Sequence, residues 1–184
     1  MSKYIILDRD GVINYDSNDY IKNKNEWKPI PRSLEAISLL SKNSYKVIVI
    51  SNQSGIKRKI IQYSDLLDIQ TKLIYSCRKE GGKIYATYYC FDLPNSSSHH
   101  RKPKPGMYLE ISERLNIDLS SVFAIGDSPR DMTAALSSGC IPLGVRTGNG
   151  SKIEKEMPHI QMFDDLYDAA TYVIGYDKQF SLDI

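Results

Sequence analysis

Five short apolar runs in this chain each give way to polar or reactive residues, and that pattern limits the fold more than any other feature. Tyr4-Ile5-Ile6-Leu7 ends at Asp8, Val47-Ile48-Val49-Ile50 at Ser51, and Val122-Phe123-Ala124-Ile125 at Gly126-Asp127. Ile84 to Tyr89 leads to Cys90, and Ile141 to Val145 precedes Arg146-Thr147-Gly148. Runs this apolar and β-branched predict strands buried on both faces. Between them, the spacing of apolar residues predicts helices over Ser33 to Lys42, Ser64 to Lys79, Gly106 to Leu115 and Pro129 to Ser138. Strand alternating with helix predicts the α/β class, a parallel sheet with helices on both faces. In open sheets of this kind the ligand site lies beyond the carboxyl ends of the strands, near a topological switch point. The first, second and fourth runs deliver Asp8, Ser51 and Asp127 to that end.

The 184 residues suit one domain, expected over 1–184, with a well-buried core. No apolar run approaches the roughly 20 residues that span a bilayer, and Tyr4–Leu7 is too short for a signal-peptide core. Three cysteines, Cys77, Cys90 and Cys140, form no disulfide framework. A cytoplasmic location and no membrane partner are therefore expected. The net charge of +2 offers no cationic footprint for nucleic acid.

The polar ends of the runs belong to four motifs: Asp8-Arg9-Asp10-Gly11-Val12, Ser51-Asn52-Gln53-Ser54-Gly55, Arg101-Lys102-Pro103 and Gly126-Asp127-Ser128-Pro129-Arg130-Asp131. Together they predict phosphoryl transfer. Asp8 can attack a phosphate monoester and form an aspartyl-phosphate, which splits one hard displacement into two. Asp10, on the same side if the backbone stays extended, is the expected general acid and base. Gly11 lets the chain turn sharply. Arg9, between the two carboxylates, is expected to point towards the fold without a catalytic role. Ser51, with backbone N–H groups of the following helix, and Asn52 are placed to hold phosphate oxygens. Lys102, with Arg101, adds positive charge for the transition state. A phosphate facing a carboxylate nucleophile needs a cation, and Mg²⁺ suits hard oxygen ligands from the Asp8 carboxylate, the Asp10 carbonyl and the Asp127 carboxylate. Asp131, one helical turn later, is expected to support that shell or cap the helix. The long irregular segment Tyr15 to Pro31 is expected to be a lid or a substrate-reading element.

In this order the four motifs resemble the haloacid dehalogenase-like phosphatases over nearly the whole chain. The resemblance implies a Rossmann-like sheet with the Asp8 strand central, a covalent aspartyl-phosphate and a requirement for Mg²⁺. The longer strings Asp8–Asn14, Ser51–Ile56, Arg101–Met107 and Val145–Gly148, with Glu26-Trp27 and Pro29, are similar to the branch that removes the 7-phosphate of a heptose 1,7-bisphosphate. That branch works in making the nucleotide-activated heptose of lipopolysaccharide. It implies a small-molecule sugar bisphosphate as substrate; apart from the resemblance, no nucleic-acid partner and a monomer are expected. The stretch 12–46 leaves no room for a large cap domain, so small loops must read the sugar. Of the basic run Lys57-Arg58-Lys59, Arg58 matches the family's basic position after the second motif and is expected to hold the phosphate that is not cleaved. Relatives often bind zinc through a Cys-x-His and Cys-x-Cys loop before Arg-Lys-Pro. Here the corresponding residues are Cys90, Asp92, Ser98 and His100, with His99 adjacent, a depleted donor set from which no bound zinc is expected.

Two other phosphatase readings share these motifs. Histidinol-phosphate phosphatase acts on one phosphate and needs no second cation site such as Arg58. A nucleic-acid 3′-phosphatase would need a basic groove or a fused module that the length and charge do not offer. A non-catalytic binding protein on this fold would be expected to lack Asp8, Asp10 or Asp127, and all three are present.

Overall fold

The structure is a computed structural model that describes residues 3–180, with side chains described to 177. Six parallel strands form one sheet in the order β3-β2-β1-β4-β5-β6. They are β1 (Lys3–Asp8), β2 (Tyr45–Asn52), β3 (Ile84–Cys90), β4 (Phe123–Gly126), β5 (Ile141–Val145) and β6 (Gln161–Phe163). The helices are α1 (Ser33–Lys42), α2 (Tyr63–Lys79), α3 (Gly106–Leu115), α4 (Pro129–Ser138), α5 (Gly150–Glu156) and α6 (Leu166–Phe180). The chain leaves β1 to one side through β2 and β3 and returns to its other side at β4. The switch point thus lies between β1 and β4, where Leu7 pairs with Ile125.

The period of two along the strands explains the layering. Ile5 and Leu7 of β1, with Val47 and Val49 of β2, pack against Ile37 and Leu40 of α1, Ile69 and Leu73 of α2 and Val173 of α6. Ile6, Ile48 and Ile50 face the opposite way, onto Met107 and Ile111 of α3 and Ala134 and Ala135 of α4. Each fully buried Val, Leu, Ile or Met among these contributes about 1.5–3 kcal/mol relative to exposure. Burial of both faces is what makes β1 and β2 read as unbroken apolar runs.

The structure departs from the sequence expectation at β3, after the second motif and beyond residue 149. β3 is an edge strand, and Tyr85 on it is exposed, so it is not buried on both faces. The second motif does not run directly into a helix: residues 53–62 form a turn-rich segment and α2 begins only at Tyr63. Beyond residue 149 the chain adds α5, β6 and α6, which the apolar spacing did not reveal. The segment from Tyr15 to Pro31 is anchored in its second half. Trp27 is buried, Ile30 N–H donates to Ile13 O at 3.0 Å, and Lys72 Nζ donates to Trp27 O at 2.9 Å. Among the described residues no helix is long and apolar enough to cross a membrane.

Candidate active site

β1 and β4 end side by side and carry Asp8 and, one residue past the strand, Asp127. α4 then starts with a reciprocal cap: Ser128 N–H and Oγ–H both donate to Asp131, and Pro129 occupies the first turn. This cap fixes Asp131 beside the two strand-end carboxylates. Oxygens of Asp8, Asp127 and Asp131 all lie within 4.8 Å of one another, and all three residues are buried. Asp131, expected in a supporting role, is therefore a full member of the acidic cluster as well as the helix cap.

One ammonium offsets this charge. Lys102, only 2% exposed, is ion-paired with Asp8 Oδ1 at 2.8 Å and with Asp131 Oδ1 at 2.6 Å. It does not balance three carboxylates. Burial, reinforced by Asp131, Asp127 and Asp10 and opposed by Lys102, raises the Asp8 carboxyl to about 8. Burial and the charge of Asp131 raise Asp127 to about 6. Asp131 is held below the usual carboxylate range, because Lys102 and Ser128 outweigh its burial. Asp127 Oδ1 is buried with no hydrogen-bond partner, whereas Oδ2 accepts from Asn149. A buried cluster with surplus negative charge and an unpartnered oxygen fits a hard divalent cation.

Gly11 and Gly148 close over the Asp127 carboxylate. Both have positive φ, 85° and 60°, and a Cβ on either would collide with Asp127 Oδ2. Gly11 turns the chain after β1, so Asp10 curls back and does not continue along the strand.

The curl gives Asp10 a dense set of donors. Arg9 Nε and Nη2 reach its two oxygens at 3.0 and 2.9 Å, Asn14 Nδ2 at 2.9 Å, Gln53 Nε2 at 2.8 Å and Ser51 Oγ at 3.3 Å. Arg9 is buried as expected, but its guanidinium does not turn away from the carboxylates: it clamps Asp10, because the Gly11 turn brings side chains 9 and 10 to one side. Ser51 lies beneath this network and also accepts from Gln53 Nε2 at 2.8 Å.

The other half of the site comes from β2 and the loop 91–105. Asn52 grips Lys102 by its backbone, donating Nδ2 to Lys102 O at 3.0 Å and accepting Lys102 N–H on Oδ1 at 3.2 Å. Arg101 Nη1 donates to Asp92 O at 2.8 Å. Asp8, Asp10, Asn52, Arg58, Arg101 and Lys102 line one cavity of about 220 Å³, joined by Arg9, Gln53 and Arg130 and by Asp16, Ser17 and Tyr20 from the segment after β1. Arg58 is an exposed residue on this cavity.

Of the four residues matched to the family's zinc loop, Cys90 and Ser98 both bond the Asp92 carboxylate, and the His100 ring lies on Glu110 instead. Cys90 Sγ meets Asp92 at 3.8 Å, but Asp92 is paired with Lys57 Nζ at 2.7 Å. Ser98 Oγ accepts the His100 backbone N–H, and the His100 ring faces Glu110 at 3.4 Å. The loop is tied by an ion pair and hydrogen bonds.

Residues 4–139 match the haloacid dehalogenase-like hydrolase family. The chain is a haloacid dehalogenase-like hydrolase. It is 45% identical over 166 residues to the D-glycero-beta-D-manno-heptose-1,7-bisphosphate 7-phosphatase of Pseudomonas putida, covering 89% of this chain and 95% of that one. The protein of the same name from Bordetella bronchiseptica is 43% identical over 150 residues, covering 82% and 84%. A solved structure of the B. bronchiseptica D,D-heptose 1,7-bisphosphate phosphatase, complexed with magnesium and phosphate, superimposes with a TM-score of 0.91. It is 38% identical and covers 95% of this chain and 99% of that one.

Five residues of the cavity and cluster are not singled out by the sequence pattern, although Asp16 and Tyr20 lie in the segment expected to be a lid or to read the substrate. Gln53 and Arg130 sit inside motifs that were recognised, but nothing in their spacing said that one bonds Asp10 and the other lines the cavity. Asp16 and Tyr20 lie in a segment without periodicity. Asn149 meets Asp127 only because β5 lies next to β4, a pairing no local pattern encodes.

Proposed function

We propose that this chain removes the 7-phosphate of D-glycero-D-manno-heptose 1,7-bisphosphate, with Asp8 as nucleophile, Asp10 as acid and base, and Mg²⁺ held by Asp8, Asp127 and the Asp10 carbonyl. The observation that carries the reading is the junction of two sets of groups in one cavity. Asp8 and Lys102 form its floor, while Arg58, Arg101 and Arg130 supply more cation than one phosphate requires. The names of its close relatives support the same substrate.

Arg9 N–H donates to Asp8 Oδ1 and Lys102 Nζ is ion-paired with it, so Oδ2 is the oxygen those contacts leave for attack. As the Asp8–phosphorus bond forms, the bond to the sugar oxygen breaks and Asp10 gives that oxygen a proton. Asp10 then takes a proton from water, which attacks phosphorus and releases inorganic phosphate with Asp8 restored. Bound Mg²⁺ lowers the repulsion between the phosphate and the buried carboxylates. Lys102 stays on Asp8 and Asp131 throughout, held by the Asn52 grip on its backbone. The product keeps its 1-phosphate, the group through which a sugar is joined to a nucleotide.

Two expected results test the reading. Treatment with EDTA should abolish phosphate release, and Mg²⁺ without zinc should restore it. The affinity for Mg²⁺ should tighten as pH rises from about 6 to about 8, since the cation must displace protons from Asp127 and Asp8. The linked stability effect has the opposite sign. The folded metal-free protein holds protons that the unfolded chain has already released, so its stability falls as pH rises through those values. Titration of Mg²⁺ at several pH values, paired with melting curves, measures both.

The second test compares substrates. The heptose bisphosphate should be hydrolysed with a much higher kcat/KM than a sugar monophosphate. Arg58→Ala should lower bisphosphate turnover by about 10-fold, the lower end of the 1.5–3 kcal/mol of a charge-assisted bond because Arg58 is exposed. Monophosphate turnover should hardly change. Equal losses on both substrates, or a preference for histidinol phosphate in the unaltered protein, would refute the substrate assignment.

A further inference from the structure

We infer that Asn149 is a positioning residue for the metal site, which commits one oxygen of Asp127 to the protein and presents the other to the cation; the inference rests on the reading of Asp127 as a metal ligand. Asn149 approaches Asp127 Oδ2 with two donors, its backbone N–H at 2.8 Å and its side-chain Nδ2 at 3.3 Å. Asp127 Oδ1 has no partner although the residue is fully buried. A carboxylate held by one oxygen can ligate through the other in a single orientation.

Three neighbouring features bear on this orientation. Lys152 Nζ donates to Asn149 Oδ1 at 3.2 Å, which directs the NH₂ of the amide towards Asp127. A Cβ at Gly148 or Gly11 would collide with the same carboxylate oxygen, so a side chain at either position would displace it. Thr147 Oγ1 donates to Gly11 O at 2.7 Å and ties the segment after β5 to the turn after β1. Residues 147–149 therefore join the strand end that carries the nucleophile to the one that carries Asp127. The position lies outside the span 4–139 that matches the family.

The effect is on cation binding, so it can be read without substrate. Asn149→Ala removes the side-chain donor and keeps the backbone one, while Asn149→Asp sets a second carboxylate against Asp127. Loss of a residue that orients a metal ligand typically costs about 10- to 100-fold in affinity. Mg²⁺ titrated into the purified protein by calorimetry should show about 10-fold weaker binding for Asn149→Ala and a larger loss for Asn149→Asp. Both should melt within a few degrees of the unaltered protein when metal-free, and excess Mg²⁺ should restore most of the kcat of Asn149→Ala. Asn149→Ala with unchanged Mg²⁺ affinity overturns the inference, and so does a variant whose kcat loss resists Mg²⁺ despite normal melting. Absence of Mg²⁺ binding by the unaltered protein would overturn the metal reading and this inference with it. Weakened Mg²⁺ binding in a protein that rejects heptose bisphosphate would support the inference while removing the substrate assignment.

Discussion

Asp8→Asn should reduce phosphate release to background and leave the metal-free protein no less stable. Removal of an attacking nucleophile costs on the order of 10⁶ in kcat where it has been measured in other covalent enzymes. An amide can neither form the acyl phosphate nor carry charge to a cation. The stability half follows from the electrostatics. The Asp8 carboxyl is raised to about 8 because burial and three neighbouring carboxylates outweigh Lys102. A neutral group at this position is therefore favoured in the folded chain once the pH is high enough to ionise the native residue. Melting curves above about pH 8 without Mg²⁺ should place the variant at or above the parent. A folded variant that still turns over the bisphosphate at a parental rate would exclude Asp8 as nucleophile.

Lys102→Met should damage both folding and rate. It preserves the length and apolar stem of the side chain but leaves Asp8 and Asp131 without the ammonium 2.8 and 2.6 Å away. Breaking a buried ion pair by removing one partner costs about 3–5 kcal/mol, a large share of the stability of a chain this size. The deficit should shrink as pH falls, because protons on Asp8 and Asp131 then replace the missing positive charge. Urea unfolding across pH measures that trend. Rate loss with unaltered stability at every pH would contradict the charge balance drawn for the site.

The sequence made the centre of the molecule legible and its margins obscure, and packing explains the difference. β1 and β2 are sandwiched between two helical layers, so their composition alone betrays them. Helices α1, α3 and α4 carry strong apolar spacing and begin and end where that spacing does. β6 has three residues, none fully buried, and so leaves no apolar run to detect. α6 is rich in tyrosine, which serves core and surface alike and blurs the pattern. The site divides in the same manner. Asp8, Asp10 and Asp127 stand in motifs at or just past strand ends, and Lys102 in the Arg-Lys-Pro motif of the loop 91–105, so their residue types stand out in the sequence. The bond from Gln53 to Asp10, the turn of Arg9 onto its neighbour and the approach of Asn149 depend on backbone curls and strand neighbours. The nearest local clue was Gly11, whose positive φ redirects residues 9 and 10 together.

The placement of β1 between β2 and β4 separates two kinds of change open to a lineage of such chains. Asp127, Asp131 and the Asn149 contact stand on the β4 and β5 flank, whereas Lys102, which pairs with Asp8 and Asp131, is held by Asn52 on the β2 and β3 flank. The Arg58 and Arg101 loops hang from the β2 and β3 flank, which ends in an edge strand and faces no further sheet. Exchanges at Arg58 alter the cavity rim without touching the carboxylate cluster, whereas the loop 91–105 also delivers Lys102 and is tied to it.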